Sequence, residues 1–362
     1  MTISKVEFKF QHFNASNNFK INPSFALIDL GNKQQQSLLF LFDCIFDSAP
    51  GITENNIIQV HIQNAAIAYF DNCTFNGIGK NQYTNITMID VLLCQNISFQ
   101  LCKFQNTAIS RQLEAVHIYS FIENASISII DCQFTNITSS YPKQSAALGI
   151  YAYDNLSVQI TWTNFTNCSA LNSEVGAIFV SNFFEEHMIS YFQITNNIFR
   201  NNYGINAGSI FCNIIYLNEK LNFSSNTLIS NMNNQTKQIG KDAQLTFYEP
   251  PIDWSQSSTA EMIVDWFNGS TSDAKKDSVY FQAYRNKVMF MSGSITLQHP
   301  PNWGKLSTHS LIGIIVGSVV IVASIVIIII FVVLWYNKKK QYQQTSNFES
   351  SRLILRTSYR SI

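Results

Sequence analysis

A ten-residue pattern, ISIIDCQFTN at residues 127–136, returns along most of the chain and restricts what that chain can fold into. Apolar residues alternate, a thiol or small residue follows, then Phe, then Asn. With the aromatic position in register, Phe46, Phe75, Phe104, Phe134, Phe165 and Phe199 recur at spacings of 29, 29, 30, 31 and 34 residues, and Leu228 stands another 29 on. Two residues earlier stand Cys44, Cys73, Cys102 and Cys132, then Thr163, Asn197 and Asn226. Two residues later stand Asn106, Asn136, Asn167 and Asn201, with Ser48 and Gly77 in the first two copies. Self-similarity at roughly 20–50 residues marks a solenoid or array, in which each unit buries its apolar face only against its neighbours.

The period inside each unit selects the kind of solenoid. Ahead of each Phe lies a mostly alternating run rich in β-branched and aromatic residues, such as LLFLF (38–42), AIAYF (66–70) and LSVQIT (156–161). A second such run precedes it in IIQVHI (57–62), ITMIDVLL (86–93), EAVHIYS (114–120), LGIYAY (148–153), GAIFV (176–180) and GSIF (208–211). Alternation of this kind reads as strand, and no segment before residue 300 reads as a capped helix of ten or more residues. Strands that recur in order without crossover helices stay parallel by coiling, one turn per repeat. The expected fold is all-β, a parallel β-helix of about seven coils. Phe46, Phe75, Phe104, Phe134, Phe165 and Phe199 then form a stacked ladder at the strand spacing of about 4.8 Å, with Cys44, Cys73, Cys102 and Cys132 in a parallel column. Asn suits the turn because it tolerates the left-handed conformation and its amide can pair with copies above and below.

The alternating strand, C-x-F-x-N and G-A-I/G-S-I elements resemble the right-handed parallel β-helix of pectin-lyase-like proteins. They also resemble the Asn-rich repeat ectodomains of ciliate transmembrane proteins and, more distantly, chlamydial polymorphic membrane proteins. The resemblance covers residues 38–247 and implies a fold far more than a function. It departs from the chlamydial pattern, which has a doubled Gly before Ala-Ile and a wider Phe-to-Asn spacing.

Organisation along the chain follows from where the period breaks. Residues 1–37 read as a partial N-terminal coil or a truncated start: no apolar signal-peptide core is present, and Phe13, 33 residues before Phe46, marks a further degenerate coil. Residues 38–247 are the repeats. The segment 248–310, opening with Glu249, Pro250 and Pro251, reads as a cap and membrane-proximal stalk. Residues 311–335 carry no charge over 25 positions, about 37 Å as a helix against a hydrocarbon core of ~30 Å, so 311–336 is expected to cross a bilayer. Lys338, Lys339, Lys340, Arg352, Arg356 and Arg360 follow it, which makes 337–362 a basic cytoplasmic tail and puts the repeats outside. The expected location is therefore a single-pass membrane protein of the plasma membrane or secretory pathway. The competing topology is a tail-anchored cytosolic scaffold.

Charged residues are 13% of the chain and the formal net charge is zero, so nucleic acid is not an expected partner. Of the twelve N-x-S/T sequons, Asn85, Asn155 and Asn268 lie in turn or linker context and are the glycosylation candidates; a laddered Asn136 or Asn167 is a poor acceptor. The seven cysteines form no C-x-x-C and no His falls at metal-ligand spacing, so no metal or cofactor is expected, and buried thiols are preferred to disulfides. Asp43, Asp71, Asp131, Asp154 and Glu174 are scattered and read as solvated turn acids rather than catalytic pairs. Gly313 and Gly317 form a G-x-x-x-G pair, which leaves a homodimer open, and Glu349, Leu353 and Ile354 fit an acidic dileucine sorting pattern. No catalysis is expected. The functional expectation is surface binding, adhesion or coating by the repeats, with a protein or glycan as ligand, and a polysaccharide-processing enzyme on the same scaffold as the alternative.

Overall fold

The computed structural model describes residues 2–4, 7–9, 24–30, 37–47, 56–77, 86–109, 114–120, 122–140, 145–152, 156–182, 191–214, 220–234, 239–250 and 254–300. They form a right-handed-type parallel β-solenoid of at least five turns. Each turn contributes one strand to each of three columns. The first column runs through Val116–Ser120, Leu148–Ala152, Ile178–Asn182, Ile210–Ile214 and Ala243–Tyr248; the second through Ala125–Ile130, Leu156–Thr161 and Tyr191–Thr195. Asn56–Asp71 and Ile86–Gln100 bend from the first column into the second without a break. The third column holds the Phe positions.

Register is uniform where it matters. Phe46 faces Phe75, then Phe104, Phe134, Phe165, Phe199 and Leu228 in successive strands, all parallel. The rings stack face to face with centroids 4.6, 5.0, 4.6, 4.7 and 5.1 Å apart along the series from Phe46 to Phe199, and each is fully buried. Phe70 and Phe99 stack beside them at 4.7 Å in the second column. A one-residue slip of any strand would turn its Phe outward, so this ladder fixes the register of the coil. At the N-terminal end the strand Glu7–Lys9 pairs in parallel with Ile45–Asp47, Phe8 in register with Phe46; Phe13, the sequence-based choice for a further coil, lies outside the described residues.

Two corners flank the Phe strands, and both are made by a single left-handed residue. Between second and third columns it is Asp43, Asn72, Leu101, Asp131, Trp162, Asn196 or Ser225, with φ from 50° to 59°. After the third column it is Asn106, Asn136, Asn167, Asn201 or Ser230, with φ from 54° to 57°. Asn Nδ2 of 106, 136 and 167 donates to Oδ1 of Asn76, Asn106 and Asn136 at 3.1, 3.2 and 3.0 Å. The amide ladder thus starts at Asn76, not at the neighbouring Gly77. Gly77 instead allows close approach: a Cβ there would lie 2.6 Å from the Asn106 carbonyl oxygen.

The Cys column does a job that Thr and Asn take over further along. Cys73 Sγ–H donates to the carbonyls of Asp71 and Leu41, Cys102 to Gln100 and Phe70, and Cys132 to Ile130 and Phe99, at 3.3–3.6 Å. Thr163 Oγ1 donates to the equivalent carbonyls of Thr161 and Ile129, and Asn197 Nδ2 to Ile160. The thiols and Thr163 are small donors that serve carbonyls of their own turn and the preceding one, and Asn197 reaches the preceding turn. All seven cysteines are buried free thiols. Burial pushes the Cys94 and Cys168 thiols up to about 12, which keeps them as un-ionised packing groups.

The far end corrects one expectation. An eleven-residue α-helix, α1 (Gln256–Trp266), lies in the segment read as helix-free. It is started by a reciprocal capping box: Ser258 N–H donates to Ser255 Oγ at 3.2 Å and Ser255 N–H to Ser258 Oγ at 3.1 Å. The usual sequence signature has Glu or Gln at the third helical position, so Ser258 disguises it. The helix buries only Thr259 and Ile263, one turn apart, too narrow a stripe to show as periodicity. Beyond it Val279–Arg285 continues the first column in parallel with Ala243–Tyr248, and Val288–Ile295 closes the column in the antiparallel sense.

Truncating the ladder at its middle tests how much rests on it. Phe134→Ala is expected to cost about 3–5 kcal/mol in chemical denaturation, the range for a fully buried Phe, whereas Thr135→Ala on the half-buried opposite face should change stability by less than about 1 kcal/mol.

Candidate functional site

The repeat that places the Phe ladder also brings polar side chains together on the outward face of the first column. His61 and Asp90 pair in register, and His117 pairs with Asp90 on the other side. In these strands alternate residues point into the coil, as Val60, Ile62, Val91, Val116 and Ile118 do, so His61, Asp90 and His117 form one outer row. His61 Nδ1 and His117 Nδ1 each lie 2.9 Å from a different oxygen of the Asp90 carboxylate. Burial pushes the Asp90 carboxyl up, but the hydrogen bonds from His117 and His61 outweigh it and hold it at about 2.

The row continues at Gly149, and the missing side chain there makes room for Glu114. A Cβ on residue 149 would fall 2.7 Å from Glu114 Cδ. Glu114 is buried, and Tyr151 Oη–H donates to its Oε1 at 2.6 Å. The Tyr151 ring in turn lies 5.2 Å from His117 and 5.4 Å from Phe179, and Phe179 stacks on Phe211 at 5.6 Å. A polar network and an aromatic cluster thus share one face. Sequence reasoning missed this group. Its signal lies in VHI (60–62), IDV (89–91) and VHI (116–118), spaced 29 and 27 residues apart, close to the period of the Phe positions, with a lone Asp between two His rather than a pair of acids.

The chemistry open to the network is limited by its own hydrogen bonds. Both Asp90 oxygens are engaged by imidazoles and the group stays ionised at neutral pH, so it orients His61 and His117 rather than carrying a proton itself. No group of three or more His, Cys, Asp or Glu arranged to hold a metal ion occurs among the described residues. Of the acids read as solvated, Asp43 and Asp131 are exposed, and Asp43 accepts from Asn72 Nδ2 at 2.7 Å. Glu174 corrects that reading: it is half-buried, accepts from Asn206 Nδ2, and burial raises its carboxyl.

A second buried acid lies near the capped end. Asp242 accepts from Asn231 Nδ2 at 3.1 Å and from the Ser272 hydroxyl. Burial pushes its carboxyl up to about 7, against the opposing pull of those two hydrogen bonds and of Lys241. Lys241 Nζ is itself paired with Asp273 at 2.9 Å.

The solvent-facing corner gives a different kind of candidate. Leu101 and Trp162 occupy left-handed corner positions, φ 55° and 57°, yet are 48% and 61% exposed. A left-handed backbone costs an L-residue with a Cβ roughly 1–2 kcal/mol, and neither side chain recovers it by packing inward. Asp131 separates them on the same edge, in a row that also carries Asn72 and Asn196.

The glycosylation candidates divide. Asn268 is exposed, whereas Asn85 and Asn155 lie outside the described residues. Nδ2 of Asn136 and Asn167, the atom a glycan would replace a hydrogen on, is engaged in the amide ladder, while Asn96 and Asn124, also sequons, are exposed. Gly313, Gly317, Glu349, Leu353 and Ile354 lie outside the described residues, as does the whole apolar segment 311–335. Among the described residues no helix is long and apolar enough to cross a membrane. Comparison with protein-family models, with curated proteins and with solved structures gave no match.

Two substitutions test the buried acids. Gly149→Ala should destabilise by about 1–3 kcal/mol in urea unfolding, because the new methyl displaces Glu114, and pairing it with Glu114→Ala should recover part of the loss. For Asp242 the folded-state pKa lies above the ordinary 3.8, so its contribution to stability is complete below about pH 4 and is lost as pH rises through about 7. Thermal stability of the wild type should fall between about pH 4 and pH 7, and Asp242→Asn should flatten that slope and stabilise the protein at pH 8 by up to ~4 kcal/mol.

Proposed function

We propose that the solenoid is the exoplasmic ectodomain of a single-pass membrane protein and that it acts by binding a protein or glycan on its lateral surface, without catalysis. The observation that carries this reading is the corner row holding Leu101 and Trp162, where two large apolar side chains are presented to water at backbone positions that disfavour them. Trp is enriched among the residues that dominate binding energy, and a rigid coil presents it without the entropy loss of an ordering loop. Equivalent corner positions repeat once per turn, so contacts along the edge add as a multivalent array.

Topology rests on the sequence. The charge-free segment 311–335 and the basic residues after it support a membrane span with a cytosolic tail. Exposed sequon residues Asn96 and Asn124 are compatible with glycosylation of an exported chain. Kinship to pectin-lyase-like proteins and to Asn-rich ciliate ectodomains is kept as part of this proposal, resting on the C-x-F-x-N and G-A-I/G-S-I elements. The second reading is a polysaccharide-processing enzyme. It is favoured by Asp90, His61, His117, Glu114 and Tyr151 meeting on one outer face, and set back by the engagement of both Asp90 oxygens.

The full chain, expressed in eukaryotic cells behind a supplied signal peptide, should show a glycosidase-sensitive mobility shift that Asn124→Gln and Asn96→Gln reduce and Asn136→Gln leaves unchanged. No shift with the signal peptide present would remove the exoplasmic reading and favour the tail-anchored scaffold. On intact cells, Trp162→Ala combined with Leu101→Ser should abolish adhesion to a ligand-bearing surface while leaving surface abundance unchanged; retained adhesion would remove the corner row from the mechanism.

A further inference from the structure

Where the second column ends, α1 stands in the place of another strand. The last strand of that column is Lys220–Asn222, and the chain just after it is covered by the C-terminal end of the helix: Phe223 N–H donates to the Trp266 carbonyl at 2.8 Å and Ser225 N–H to the Asn268 carbonyl at 3.0 Å. A helix is wider than a strand, so the two surfaces meet along one line and part beside it. The gap is a cleft of about 440 Å³ lined by Tyr191, Leu221, Asn222, Ser224, Asp265, Trp266 and Asn268. That volume is in the range of small-molecule sites, roughly 300–1,000 Å³.

The lining is specific in kind. Tyr191 is 39% exposed, and Trp266 is half-buried with its ring held against Phe247 at a centroid distance of 6.0 Å, so one aromatic reaches solvent and the other is anchored against the core. Asn222 is oriented by its Oδ1, which accepts from Ser224 N–H at 3.0 Å. The side chains of Asp265 and Asn268 make no hydrogen bond among the described residues. Among the described residues, two aromatic side chains, two amides, the Ser224 hydroxyl and one carboxylate line the space. The Asp265 carboxylate disfavours an anionic ligand. A ligand with apolar ring faces and a belt of hydroxyls would satisfy both the rings and the amides.

We infer that this cleft is a saccharide-binding site, in which Tyr191 and Trp266 hold a neutral pyranose ring and Asp265, Asn222 and Asn268 take its hydroxyls. The inference deepens the binding function proposed above and rests on it, by giving that function a ligand class and a second place of contact. Asn222 and Asn268 are also the asparagines of the sequons Asn222-Phe223-Ser224 and Asn268-Gly269-Ser270, so glycans attached to them would fill the same space.

The test uses the full chain made in bacteria, which leaves both asparagines unmodified, in a detergent without a sugar headgroup. Cellotriose, chitotriose and β-1,4-mannotriose are titrated with saturation-transfer NMR and tryptophan fluorescence as readouts, with choline chloride as the cationic comparison. Saturable binding of at least one trisaccharide is expected, weakened tenfold or more by Tyr191→Ala and by Asp265→Ala and unchanged by Thr135→Ala on the third column. Asp265 is exposed and off the core, so Asp265→Ala decides the matter if the Tyr191 variant does not fold. Absence of binding by all three sugars, tighter binding of choline, or binding indifferent to both cleft variants would overturn the inference. So would mass-spectrometric detection of glycans on Asn222 or Asn268 in protein from eukaryotic cells. Surface adhesion lost only with the Trp162 and Leu101 substitutions would leave the wider binding function standing while the cleft falls.

Discussion

The architecture depends on turning the chain at the same place in every repeat without leaving a buried carbonyl unserved. A left-handed residue makes the corner, and the side chain that follows supplies a donor to the carbonyls the corner strands. Cys, then Thr, then Asn fill that role along one column because geometry requires a short donor and tolerates three different ones. Only when the corner recurs at a constant height do the Phe rings fall face to face, and each stacked pair adds about 0.5–1.5 kcal/mol beyond the area it buries. The aromatic ladder is therefore a result of the corner chemistry as much as of hydrophobic burial.

Toward the C-terminal end the same column changes its means. Asn197 and Asn226 both donate through Nδ2 and accept through Oδ1 from the backbone N–H of Thr163 and Asn197, and Asn202 and Asn231 repeat this in a second buried row. An amide satisfies two backbone groups where a thiol satisfies carbonyls weakly. This row ends at Asp242 and Ser272, so the acid whose carboxyl is pushed up to about 7 terminates a ladder of neutral amides and sits where a further Asn would be equally at home.

The fold was legible because its period appears in the one residue type that cannot be moved: Phe at each inward position of the third column. The left-handed Asn corners followed from the same alignment. What escaped the sequence lies where several features share one strand. His61, Asp90 and His117 obey the period but differ in type, so alignment by identity hid them. Helix α1 escaped because Ser258 replaced the acid that usually marks a capping box and only Thr259 and Ile263 face inward. Leu101 and Trp162 look like core residues by composition, and only the corner φ reveals that they face water. Membrane topology stayed a matter of sequence, since 311–335 lies outside the described residues.

The antiparallel strand Val288–Ile295 closes the first column against Val279–Arg285, with a shift of register at Ala283/Tyr284. An antiparallel edge presents its donors and acceptors in alternating close and wide pairs, which the evenly slanted pattern of a parallel rung does not match. This end therefore acts as a stop that another copy of the solenoid cannot extend. Growth at this end is blocked, whereas inserting one more unit of about 30 residues within the coil preserves every ladder and both corners. Reach, rather than surface chemistry or end structure, is then the property that duplication within the gene can change most freely.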